Sequence, residues 1–118
     1  LVVQFFAHAV SAARINPDSA ASHRMIGEIM LSDKQEEKAA AAFNRAIKLN
    51  PSDAVSLSGY ARCLDIQEKN LTIALSFARN SVALEPDNAL FKERMAAIRE
   101  KIEDPQKQNQ EATRAKSA

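Results

Sequence analysis

The chain has no tryptophan, one tyrosine, two glycines and one cysteine among its 118 residues. Each scarcity removes a class of protein. With only Gly27 and Gly59 there is no glycine-rich loop to cradle a phosphate. Cys63 alone cannot form an internal disulfide, so an oxidising compartment is neither required nor excluded. No apolar run approaches the ~20 residues of a spanning helix, which argues against direct membrane insertion. Residues 1–6 are apolar but lack a basic flank and a full signal core. With no initiating methionine, Leu1 reads as a cut or processed end, and the compartment stays open, with the cytoplasm favoured. Charge of one sign is missing too: 16 basic and 15 acidic residues leave a net +1, which gives no footprint for nucleic acid.

Catalytic constellations are also absent. His8 and His23 fall in different helices, with no carboxylate or thiol at metal-ligand spacing beside either. Cys63 sits next to Leu64 in a core-facing stretch without a base partner, and reads as a small buried residue. Ser56 and Ser58 flank Leu57 with no nucleophile elbow. The residues argue against an enzyme, and imply neither cofactor nor metal.

What the chain does have is a repeated proline. Pro17, Pro51 and Pro86 close near-copies of one pattern at spacings of 34 and 35 residues. A period in that range is the mark of a helix–turn–helix array. Ala39, Phe43 and Ala46 precede Pro51 by twelve, eight and five residues. Ala74, Ala78 and Ser81 stand at the same distances before Pro86, and Phe5, Ala9 and Ala12 before Pro17. Steps of four and three put each set on one helical face, where small side chains allow close helix approach.

The alanine-rich, glycine-poor composition favours helices, and the pattern predicts them near 1–15, 18–31, 34–49, 53–67, 71–84 and 88–103. Asp18 or Ser19 is expected to cap the second helix, Asp53 or Ser52 the fourth, and Asn70 the fifth. Ser32 with Gln35 reads as a capping box for the third. Arg94, Arg99 and Lys101 are expected to give the last helix a polar outer side. Residues 104–118 hold almost no large apolar side chain, so a frayed helix or disorder is expected there.

These residues resemble the tetratricopeptide repeat, in which small and aromatic positions recur in this order before a closing proline. His23, Ile26, Gly27 and Met30, then Leu57, Tyr60, Ala61 and Leu64, match the first helices of that repeat. The usual tryptophan is missing, and Ala61 replaces a glycine. Met95 and Ala96 continue the series. An extra residue in the second inter-helix turn accounts for the spacing of 35. The resemblance implies an all-α, right-handed α-α superhelix of antiparallel helix pairs. Its parts would be a second helix of a partial repeat over 1–17, repeats over 18–52 and 53–87, a capping or third-repeat helix over 88–103, and a polar tail over 104–118.

The resemblance further implies a scaffold for protein–protein interaction, whose concave groove is lined by the first helix of each repeat. Carried over by position, that groove comprises Ala21, Arg24, Met25, Glu28 and Leu31, then Val55, Ser58, Gly59, Arg62 and Ile66, then Leu90, Glu93, Arg94 and Ala97. The three arginines suit a protein or peptide segment with acidic and apolar side chains, unless they pair with Glu28 and Glu93. Chaperone-binding relatives clamp a C-terminal carboxylate with fixed Lys, Asn and Arg residues. Here Arg24, Glu28, Gly59 and Leu90 stand at those positions and only Arg94 agrees, so a chaperone-tail receptor is not expected. A second reading is an assembly subunit docking through an apolar edge at Val2, Val3 and Phe6, as part of an oligomer or larger complex. A third is an accessory domain of a larger protein.

Overall fold

The structure, a computed structural model, describes residues 2–104, with side chains described for residues 7–12, 14 and 16–104. The described residues form six helices: α1 (Val2–Ile15), α2 (Ala20–Ser32), α3 (Glu36–Leu49), α4 (Ala54–Gln67), α5 (Leu71–Leu84) and α6 (Ala89–Glu103). Each lies within two residues of its expected ends.

One turn, used three times, starts α2, α4 and α6. After each proline the chain places an extended N-cap: Ser19, Asp53 or Asn88. Their backbone N–H groups donate to Asn16, Asn50 and Glu85 carbonyls, each at 3.1 Å. Their side chains then accept from Ser22, Ser56 and Phe91 N–H groups at 3.3, 3.2 and 3.2 Å. That satisfies a backbone donor that the helix start leaves open. His23 belongs to this turn as well, with Nε2 donating to the Pro17 carbonyl at 3.0 Å.

The opposite ends of α2 and α4 also share a device. Lys34 and Glu68 adopt left-handed backbones, φ 59° and 52°. Gln35 and Lys69 N–H groups reach back to the Met30 and Leu64 carbonyls, a Schellman-type closure. This closure removes the expected capping box. It keeps Ser32 inside α2, so Gln35 is the N-cap of α3 and has no side-chain cap bond. Its amide instead bonds Asp33 Oδ2 at 2.5 Å. Asn70 is the N-cap of α5 but is itself left-handed, φ 49°, and its side chain makes no cap bond. Side-chain capping relies on an extended N-cap backbone.

Consecutive helices pack on each other, and α2 also touches α4, as α4 touches α6. Among the described residues α3 and α5 do not touch. The even-numbered helices therefore form a continuous inner layer, with α3 and α5 spread behind it. The dimensions, 52 × 33 × 21 Å, are those of an elongated stack.

The small-residue faces hold the layers together. Ala39, Phe43 and Ala46 on α3, Ala74, Ala78 and Ser81 on α5, and Ala9 on α1 are all essentially inaccessible. Ser81 satisfies its hydroxyl by donating to the Ala78 carbonyl at 2.7 Å. Phe43 is the wedge between α2 and α4: a Cβ on Gly27 or Gly59 would lie 2.7 or 2.5 Å from its ring. Behind it, Ala61, Leu64, Ala74, Leu75, Ala78 and Ile98 form a second cluster, with Tyr60 and Phe77 packed against it and edge-on to each other, ring centroids 5.0 Å apart.

Ala96 departs from its register. It aligns with buried Ala61 yet is exposed, because among the described residues no further helix covers that face of α6. The side chains of Val2, Val3, Phe5 and Phe6, and all of residues 105–118, lie outside what is described. The proposed docking edge and the tail expectation fall there.

Candidate functional site

The inner faces of α2, α4 and α6 enclose a hollow of about 380 Å³. Its walls include Glu28 and Leu31 from α2, Val55 and Gly59 from α4, and Leu90 and Arg94 from α6, with Phe43 also reaching it. Six sequence-selected residues are thereby brought together from three helices. Met25 and Ile66 do not line the hollow but are exposed nearby on the same helices, at 41% and 39%; Leu90 is 49% exposed. Each of α2, α4 and α6 thus leaves a large apolar side chain open to solvent.

The arginines part company. Arg24 does not pair with Glu28: its Nη1 donates to Asp53 Oδ2 at 3.0 Å, and that carboxylate is 3% exposed. Asp53 thus caps α4 with one oxygen and holds α2 with the other. Arg62 Nη1 meets Asp65 Oδ2 at 3.0 Å within α4. Arg94 Nη1 donates to Ser58 Oγ at 3.1 Å, and among the described residues no carboxylate forms an ion pair with it. Burial pushes the Arg94 guanidinium below its usual pKa, nearby Arg62 adds to this, and Cys63 and Glu28 oppose it. A desolvated cation beside a second cation favours a carboxylate neighbour.

Ser58 is not open to the groove: it is 1% exposed, and its hydroxyl accepts from Arg94. Lys101 is also not simply part of a polar outer side. Its Nζ holds Asp65 Oδ1 at 2.6 Å and the Asp65 carbonyl at 3.2 Å. Asp65, buried at 1%, is the residue that sequence reasoning missed. An aspartate between Leu64 and Ile66, with Arg62 three residues before it, carried a faint signal of an internal ion pair.

Cys63 is fully buried against Phe43 and Ala39. Burial first, then Glu36, pushes its thiol up to about 11, so it stays protonated at neutral pH. Among the described residues no group of three His, Cys, Asp or Glu side chains could hold a metal ion. Among them, too, no helix is long and apolar enough to cross a membrane.

No family model matches the chain, and no curated protein matches it in sequence. Solved structures do. The first TPR of Spaghetti (RPAP3), determined bound to the HSP90 peptide SRMEEVD, matches with a TM-score of 0.75. The match covers 82% of this chain and 76% of that one at 16% identity. The chain has the tetratricopeptide-repeat fold. Within it, α2 packs most extensively on α3 and α4 on α5, while α2, α4 and α6 form the inner layer.

Proposed function

We propose that this tetratricopeptide-repeat chain is a non-catalytic scaffold that binds a segment of another protein in its concave groove. One observation carries the reading: α2, α4 and α6 converge on an open hollow whose walls combine Leu31, Val55, Phe43 and Leu90 with the Arg94 side chain. Shape and apolar area supply affinity, and a charged group at the edge fixes orientation. The neighbouring structure holds a peptide with three acidic side chains, which supports a peptide as the ligand class. The buried, protonated Cys63 supports a non-catalytic reading. Glu28 in the wall of the hollow disfavours a receptor for a terminal carboxylate.

The direct test is Leu90→Asp. Leu90 is half exposed, so the fold tolerates the change, while a charge enters the apolar wall. Binding of peptides selected from a random linear display library should fall about tenfold or more by calorimetry. Undiminished binding to a folded variant refutes the groove. Arg24 and Arg62 are unsuitable for this test, since changing either breaks an internal ion pair.

A further inference from the structure

Glu28 is an acid without a cation of its own. It is exposed on α2 and stands in the wall of the hollow. Among the described residues no Lys, Arg or His forms an ion pair with it. Arg24 lies four residues earlier, where a helical pair would ordinarily form, but Asp53 holds it at 3.0 Å. Arg94 is on the α6 wall and donates to Ser58. Lys34, the next basic residue after Arg24, does not line the hollow.

The backbone adds charge of the same sign. Helix α2 ends at the hollow, whose wall includes its last residue, Ser32. The C-terminal end of a helix carries a partial negative charge, and no basic residue in the last turn of α2 offsets it. Helix α6 begins at the hollow instead: its N-cap Asn88 is in the wall, with Leu90 and Arg94 following. The start of a helix is its positive end. The two helices do not touch and flank α4 from either side. The hollow is therefore polarised, negative at α2 and positive at α6, with Leu31, Val55 and Phe43 as apolar parts of its wall.

We infer that Glu28 receives a lysine or arginine side chain of the segment bound in the groove proposed above, and so fixes the direction in which that segment lies. This inference rests on the groove reading but fails separately from it. A long basic side chain suits the place because its stem is apolar and only its head is charged. The stem lies on Leu31 and Val55, and the head reaches Glu28 beside the end of α2. Arg94 repels a cation from the α6 side, which confines the ligand's charge to the α2 side. Complementary charge then sets specificity and orientation, while the apolar wall supplies contact area.

The test uses the full chain and a display library of random linear peptides. Selected peptides should share a Lys or Arg close to a large apolar side chain. Replacing that lysine by norleucine, or that arginine by citrulline, removes the charge and keeps the stem, and should weaken binding about tenfold. Glu28→Gln should do the same, and combining the two changes should cost little more than either alone. Glu28 is exposed, so its amide variant should fold, and the peptide change leaves the protein untouched in any case. Glu28→Asp should retain part of the affinity, and Glu103→Gln, exposed on α6 and absent from the wall of the hollow, should have no effect. Added salt should weaken binding to the unaltered chain more than to Glu28→Gln. Leu90→Asn, a change without charge, reads the groove by itself. Peptides that lose affinity at Leu90→Asn, yet ignore both the charge removal and Glu28→Gln, overturn this inference and leave the groove standing. Selected peptides that are acidic and bind Glu28→Gln more tightly overturn it as well. Peptides indifferent to Leu90→Asn, or a library that yields no binder, overturn the groove and this inference with it.

Discussion

Phe43 shows how single side chains set the spacing of this stack. Its ring is 1% exposed and pressed between the bare Cα atoms of Gly27 and Gly59. Glycine inside a helix costs about 1 kcal/mol relative to alanine, so both positions sacrifice helix stability for contact. Adding a methyl at Gly59 would force a fully packed ring to move, an overpacking cost of about 1–3 kcal/mol. Gly59→Ala is therefore expected to lower stability in urea titration despite its better helix propensity. In a Phe43→Leu background the same change should cost much less, a coupling that a double-mutant cycle reads directly. Additive effects would show that the ring is not the obstacle.

At the level of elements, the stack is built by one cap that also reaches across repeats. Ser19, Asp53 and Asn88 are equivalent, but only Asp53 among them accepts from a guanidinium of the preceding first helix. Asp53→Ala removes the cap of α4 and strands Arg24, whose own partial exposure lets water take up some of the loss. A cost of about 2 kcal/mol is expected, roughly twice that of Ser19→Ala. Equal losses at the two sites would mean that the Arg24 contact adds nothing. At α2 and α4 the cap was legible to within one residue, as Asp18 or Ser19 and Asp53 or Ser52, because it is local: a proline, two residues, then a helix; Asn88 at α6 was not picked out. The Ser32–Gln35 box was misread for the same reason in reverse. The motif is equally local, but the left-handed Lys34 lets α2 run through Ser32 before the chain turns.

For the whole molecule, stability is distributed between neighbouring helices, and the join of α4 to α6 depends on Asp65. Its carboxylate is shared by Arg62 and Lys101, and Lys101 also takes its carbonyl. Asp65→Asn should cost about 1–3 kcal/mol, since both cations lose their partner but can reach water. Hydrogen exchange should show the loss mainly as faster opening of α6, with α2 and α3 little changed. Uniform loss across all helices would instead mark the described stack as one cooperative unit. Six of the sequence-selected groove residues meet around the hollow because they share the inner layer. Which of the arginines still lacks a carboxylate was not legible, because that depends on partners 29 and 36 residues away.

The sequence alone determined the helices, their small-residue faces and the pairing of first with second helices. Those follow from periods of three and four residues and from capping groups within a few positions of each other. Tertiary structure decided how the charges were spent. A guanidinium chooses its carboxylate by distance in space, and the crossing of α2, α4 and α6 brought Asp53 to Arg24, Asp65 to Lys101, and only a neutral hydroxyl to Arg94.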